Sequence, residues 1–140
     1  MTTGTLGTNA RQDPRQVANT LKKLVNFNDV GIAAGVAFDN PLPQGAFILR
    51  VLVEVVTAFN AVTTNVLTVG TINTPPYNNI VAAADVNEAA TGVYDITRAL
   101  GRSLAAAGDV LPVAQYTQTG TAATTGQAWI VIEYEGGWAS

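Results

Sequence analysis

The side chains available for acid–base chemistry are mainly carboxylates, because the 140 residues include neither histidine nor cysteine. Without these two residue types the chain cannot build a Ser-His-Asp or Cys-His nucleophile. It also lacks the usual ligands of zinc and iron–sulfur centres. Disulfides are excluded as well, so stability has to come from close packing or from assembly with other chains.

Two groups of carboxylates are close enough in sequence to act together. Glu133 and Glu135 fall on one face of a predicted strand about 7 Å apart, as in inverting glycosidases. Trp129 shares that face and could stack a sugar. Residues 85–88 also gather oxygen atoms, but not at the spacing of a calcium loop. A strand leaving the core and a polar turn explain these two patterns more simply. We therefore predict no enzymatic activity, no metal and no cofactor.

The composition indicates an ordered domain that is covered by partners. Only 12% of the residues are charged and 48% are hydrophobic, which is too apolar for a disordered chain. The charge is also lower than a free soluble monomer normally carries. We expect no signal peptide and no membrane helix, because no apolar run is long enough.

Charge is distributed unevenly along the chain. Residues 1–23 carry four basic residues against one acid, and the remainder carries three against nine. A basic start on an acidic body is typical of an arm that binds an acidic partner, or it is simply a solvated terminus. An acidic body without a basic groove argues against nucleic-acid binding.

Alternating hydrophobicity predicts an all-β domain. In residues 47–59 one face reads Phe47, Leu49, Val51, Val53 and Val55, which places these side chains in a core. The other face carries Arg50 and Glu54 among aliphatic residues. Residues 66–69 read as a returning strand that forms a hairpin with 47–59.

Further along the chain, residues 92–96 and 110–119 are also predicted strands, the latter at a sheet edge because of Pro112. Residues 127–135 are apolar on both faces, as in a central strand. Residues 96–109 fit a helix or a strand equally well. Seven or eight short strands separated by Gly, Pro and Asn loops favour a two-sheet sandwich or barrel.

The order of these segments resembles a known family. The chain is similar to capsid cement, or decoration, proteins of tailed double-stranded DNA phages, one from a Bordetella phage among them. The segments that carry the resemblance are the long strand at 47–57, the loop with Asn60 and Thr63-Thr64, residues 67–70, residues 85–87 and the closing strand at 128–134. The resemblance covers about residues 20–135. It implies a jelly-roll-like antiparallel β-sandwich with an extended N-terminal arm.

The resemblance also implies a function. Such proteins are dimers that bind the outer surface of the capsid shell, bridge neighbouring capsomers of the major capsid protein and catalyse nothing. We therefore expect a flexible basic arm (1–19), a β-sandwich domain (20–135) and a C-terminal tail (136–140). The expected partners are the major capsid protein and a second copy, with no nucleic acid and no membrane. The expected location is the capsid exterior of a virion assembled in the host cytoplasm.

Candidate partner contacts follow from charge and exposure. They are the basic residues of the arm and first strand, the charged face of the 47–59 strand, and a tryptophan that follows two glycines near the end of the chain: Arg11, Arg15, Lys22, Lys23, Arg50, Glu54 and Trp138. Two other functions stay open. One is a different virion module such as a head-fibre or tail protein, and the other is a carbohydrate-binding β-sandwich.

Overall fold

The computed structural model describes residues 18–136, which form seven β-strands joined by turns and loops. The strands are β1 (Ala18–Asn26), β2 (Val36–Ala37), β3 (Ala46–Thr57), β4 (Thr64–Thr71), β5 (Gly92–Ile96), β6 (Pro112–Thr119) and β7 (Gln127–Gly136). No stretch of residues 18–136 is a helix that could cross a membrane.

The strands form two antiparallel sheets that pack as a sandwich. One sheet has the order β1-β7-β3-β5 and the other has the order β2-β6-β4. An eight-stranded jelly roll has sheets ordered 1-8-3-6 and 2-7-4-5. The observed order is the same pattern with its fifth strand missing. The predicted jelly-roll-like β-sandwich is confirmed, and residues 72–91 occupy the chain position of the absent strand.

The core lies between the two sheets and consists mainly of β-branched and aliphatic side chains. Val51 and Val53 have essentially no exposed surface, as the alternating pattern predicted, and Ile130 and Ile132 of β7 are buried to the same degree. Tyr116 contributes the largest fully buried side chain and packs against Phe59 from the connection after β3, with ring centroids 4.6 Å apart. Residues from both sheets thus share one hydrophobic cluster.

A β-bulge changes which residues of β3 face the core. Ile48 pairs with Tyr134, whereas Arg50, two residues later, pairs with the very next residue of β7. The extra residue reverses the alternation of side chains. Ile48 is therefore buried, while Phe47 and Leu49 are 48% and 42% exposed. The prediction that Phe47 and Leu49 belong to the core was wrong.

The predicted hairpin between residues 47–59 and 66–69 was also wrong. β3 pairs with β7 and β5, whereas β4 pairs with β6 in the opposite sheet. The connection between β3 and β4 crosses from one sheet to the other, as jelly-roll topology requires. Nor is β6 an edge strand, since it lies between β2 and β4. Pro112 is tolerated because it is the first residue of that strand.

Residues 97–111 adopt turns and extended backbone, so neither the helix nor the strand expected at 96–109 is formed. They are held by hydrogen bonds to the start of β3 and the loop before it. Gly101 N–H donates to Ile48 O at 2.9 Å, and Ile48 N–H donates to Arg102 O at 3.2 Å. The Asp109 carboxylate accepts from Gln44 N–H at 2.8 Å. The proposed division into arm, domain and tail remains a prediction.

Candidate interaction surfaces

The side of the four-stranded sheet that faces away from the core is the first candidate surface, called here the outer face. Its residues lie in cross-strand rows fixed by the pairing register. One row joins Thr20, Glu133 and Arg50; the next joins Lys22, Val131, Leu52 and Asp95; the third joins Leu24, Trp129, Glu54 and Val93. The intervening rows point into the core, so this set is the outward half of the sheet.

The centre of the outer face is apolar. Leu24, Trp129, Val131 and Leu52 are adjacent across three strands, and each is only half-buried. The ammonium group of Lys22 lies 5.0 Å from the centre of the Trp129 ring, a distance at which a cation–π attraction operates. A half-exposed tryptophan among aliphatic side chains is typical of a surface that contacts another protein.

Charged residues surround this centre. Lys22 on β1 and Asp95 on β5 stand at opposite edges of the same row, both exposed. Arg50 and Glu133 are direct cross-strand neighbours in the adjacent row. Glu133 therefore has a cation as its cross-strand neighbour, and Glu135 lies on the same side of β7 in the next outward row, as the strand pattern predicted.

A second candidate surface is the end of the sandwich formed by the 27–35, 58–63 and 120–126 loops. Val30 and Val62 are 96% and 73% exposed there. Asn60 fixes two of these loops to each other: its carbonyl oxygen accepts from Thr124 N–H at 2.7 Å and from Thr125 N–H at 3.0 Å. The loop end thus presents apolar tips on a hydrogen-bonded base.

The free edge of β4 is capped by residues 79–88, which we call the strap. Three alternate N–H groups of β4 point to that edge. Leu67 N–H donates to the Glu88 carboxylate at 3.1 Å, Val69 N–H to Val81 O at 3.1 Å, and Thr71 N–H to the Asn79 side chain at 2.9 Å. Two side chains and one carbonyl replace a strand. The cap removes the open row of donors on which another chain could pair.

Glu88 has an unusual environment for a carboxylate. It is 6% exposed, and burial raises its pKa more than the hydrogen bond from Leu67 N–H lowers it. The pKa of Tyr116 is also raised, first by burial and then by the negative charge of Glu88. The hydroxyl of Tyr116 donates to the Asn65 side chain at 2.6 Å. Nothing in the alternating sequence pattern distinguished Glu88 from a solvated acid of a polar turn.

Asp85, from the same predicted turn, is engaged in an ion pair. The guanidinium of Arg98 donates to its two carboxylate oxygens at 3.0 and 3.1 Å. Ala82 N–H donates to the same group at 2.8 Å. The Arg98 hydrogen bond holds the pKa of Asp85 below its usual range. Within residues 18–136 no three acidic side chains come together as a metal site.

The predicted contact residues fall into three groups. Lys22, Arg50 and Glu54 all lie on the outer face. Lys23 is on the same edge strand, but in the row of Ile130 and Val53, which faces the core. Arg11, Arg15 and Trp138 lie outside the described residues. Sequence reasoning placed Trp129 and Glu133 on a common face, and the register agrees.

Comparison with known proteins gives fold-level relationships. No family model and no curated protein matches the chain. The structure is similar to a chain of the cyanophage Pam1 capsid asymmetric unit, with a TM-score of 0.64 and 20% identity over 84% of this chain and 83% of that one. It is also similar to a chain of the acidic stable capsid structure of Helicobacter pylori bacteriophage KHP30, with a TM-score of 0.60 and 18% identity over 86% and 88% of the respective chains. At these identities the similarity establishes a shared β-sandwich fold.

Proposed function

We propose that this protein is a non-enzymatic structural component of a phage capsid, located on the outer surface of the shell. In this role it acts as a homodimer that bridges neighbouring capsomers of the major capsid protein and cements them together. The observation that carries the proposal is the fold similarity to chains of two phage capsid structures, which spans more than four-fifths of each chain compared. A match of that extent leaves little of either chain outside the common fold.

The chemistry of the described residues supports a binding role. Asp85 and Glu88 are committed to contacts within the fold, and Glu133 has Arg50 as a cross-strand neighbour. The outer face and the loop end, by contrast, present apolar groups to solvent. Low total charge and exposed apolar surface are the properties of a protein that works while covered by partners.

Retention on the shell would arise from several linked contacts. A dimer that touches two shell subunits converts the second contact into an intramolecular one, which raises its effective concentration. The basic arm is the proposed second element, in which Arg11 and Arg15 meet acidic shell surface. Exposed ion pairs contribute about 0–1 kcal/mol each, so this part of the affinity should decline as salt rises.

The deciding experiment measures binding of the purified full chain to shells assembled from the major capsid protein of the same phage. Co-sedimentation should show saturable binding to expanded shells and little binding to immature ones. No binding to either form would refute the cementing role, and selective binding to tails would favour the alternative virion module. Retention on a glycan array would favour the carbohydrate-binding β-sandwich.

The arm is tested separately in the same assay. Removing residues 1–17 leaves the described fold from Ala18 onward and should weaken shell binding and reduce its salt dependence. The matched control replaces Arg11 and Arg15 by glutamine in the full-length chain, which removes the charge but keeps the length. Unchanged affinity and unchanged salt dependence in both variants would show that the arm is only a solvated terminus.

A further inference from the structure

In two rows of the outer face the charge reverses sign across the midline of the sheet, which runs between β7 and β3. In one row Lys22 lies on the β1 edge and Asp95 on the β5 edge. In the adjacent row Glu133 is on β7 and Arg50 is opposite it on β3. In these two rows each half of the face carries the charge that complements the other half, beside a shared apolar centre. Glu54 and Glu135 have no such counterpart, because they lie opposite Trp129 and Phe47.

We propose that two copies of this chain dimerise by packing their outer faces together about a two-fold axis that runs along the strands between β7 and β3. Such an axis exchanges the halves of the face and preserves the rows. Lys22 of each copy then meets Asp95 of the other, and Arg50 meets Glu133. In the apolar centre Val131 meets Leu52, and at its border Leu24 meets Val93. In that last row Trp129 of each copy meets Glu54 of the other. The inference deepens the proposed dimeric state by naming its surface and symmetry.

The perpendicular in-plane axis is disfavoured by the same charges. A two-fold axis across the strands through the row of Lys22 and Asp95 keeps each strand opposite its own copy. It would place Lys22 against Lys22 and Asp95 against Asp95. Like charges brought together across an interface are a cost that opposes association. The same axis would bring Arg50 against Glu54 of the other copy, but it would lose both Lys22–Asp95 contacts, so the charge pattern favours the axis along the strands.

The dimensions of the face are compatible with a specific dimer. Two end rows, with Glu135 beside Phe47 and Gln127 beside Thr57, bring the outer face to five rows on β1, β7 and β3, while β5 contributes to two. With strands about 4.8 Å apart and rows about 6.8 Å apart, the face measures roughly 550 Å² per copy. A standard interface uses about 800 Å² per partner, so we expect a dimer of modest affinity. Face-to-face sheets cross at about 30°, which displaces the edge strands by about 4 Å. A lysine side chain reaches over that distance.

Charge reversal tests the arrangement in solution, without shells, so that its failure is distinguishable from a failure of shell binding. The dimer dissociation constant of the full chain is measured by sedimentation equilibrium over a range of concentrations. K22E and D95K alone should each raise it about tenfold or more, because each creates two like-charge contacts per dimer. The double variant K22E/D95K should restore dimerisation, because the new glutamate meets the new lysine.

Two controls make the outcome specific. K23E makes the same change one residue along β1, in a row that faces the other way, and should leave the dissociation constant unchanged. Thermal unfolding of each variant checks that the fold is retained. A wild-type chain that stays monomeric up to about 100 µM would overturn the proposal. A dimer whose dissociation constant changes with neither single reversal would overturn it as well. A double variant that does not regain dimerisation would exclude this symmetry axis.

Discussion

Replacing Glu88 by glutamine should stabilise the folded protein at neutral and alkaline pH but not at acid pH. The Glu88 side chain is 6% exposed and accepts a hydrogen bond from Leu67 N–H at 3.1 Å. Burial nevertheless raises its pKa, so ionisation is less favourable in the folded chain than in the unfolded one. Glutamine retains a carbonyl oxygen for Leu67 N–H and carries no charge.

The sign of the pH dependence follows from the raised pKa of Glu88. Below its usual pKa of 4.5, both folded and unfolded chains are protonated and its contribution to stability is fully present. As pH rises from 4.5 through the folded-state pKa, the unfolded chain releases its proton first, and this contribution is lost. The slope is at most about 1.4 kcal/mol per pH unit. The stability difference between E88Q and wild type should grow over this window and then become constant.

The expected size follows from the burial of this group. A buried polar group with incomplete hydrogen bonding costs about 1–3 kcal/mol. Glutamine recovers part of that cost, since its amide N–H groups also need partners. We expect a gain of about 1–2 kcal/mol at pH 8, or roughly 3–8 °C in Tm for a domain of this size. The pKa of Tyr116 is raised from 10, so its titration lies above the window.

Urea unfolding at pH 4, 6 and 8, followed by tryptophan fluorescence, measures this difference. All samples need the same low protein concentration, because dimerisation would add to the apparent stability. E88A removes the acceptor for Leu67 N–H and should be destabilising by about 2–4 kcal/mol at pH 4. At pH 8 its loss of stability should be about 1–2 kcal/mol smaller, because E88A also removes the buried charge. E135Q changes an exposed carboxylate and should stay within about 0.5 kcal/mol. A pH-independent difference for E88Q, or a loss of stability at pH 8, would refute the reasoning.

Three further substitutions test the core, the close approach of β4 to Tyr77, and the loop end. Val53→Ala should lower the free energy of unfolding by about 1–3 kcal/mol, because Val53 is fully buried. The control Val56→Ala, at an exposed position of the same strand, should change it by less than about 0.5 kcal/mol, and equal urea midpoints for the two variants would contradict the face assignment. Gly70→Ala should cost more than about 2 kcal/mol, since a Cβ there would overlap the backbone of Tyr77; an unchanged Tm would argue against this close approach. Asn60→Ala should speed hydrogen exchange in the 120–126 loop with a global loss of only about 1 kcal/mol, and unaltered exchange would show that the loop does not depend on this side chain.

The fold class was predictable because it depends on local pattern. Alternation along residues 47–59 and 127–135, together with frequent Gly, Pro and Asn loops, is enough to predict an all-β sandwich. The core identity of Val51 and Val53 follows from the same period of two. The central position of β7 agrees with the prediction made from its run of apolar residues on both faces.

The β-bulge and the strand partners were not predictable, because neither is a local property. One extra residue at the Ile48–Arg50 step moves Phe47 and Leu49 from the core to the surface, and no periodicity reveals where it occurs. The pairing of β3 with β7 and β5 is a matter of topology. Proximity in sequence favoured a hairpin with β4 instead, since short connections usually join neighbouring strands.

The candidate surfaces divide in the same way. The residue pattern alone indicates that Lys22, Arg50 and Glu54 are charged residues on strand faces, and the composition excludes histidine and cysteine chemistry. The row shared by Lys22 and Asp95 depends on the alignment of β1, β7, β3 and β5 in the folded chain. The contact of Glu88 with the edge of β4 is likewise a tertiary contact. Register across non-adjacent strands depends on contacts between residues far apart in the chain, and so do the charge pattern of a sheet face and the burial of a carboxylate.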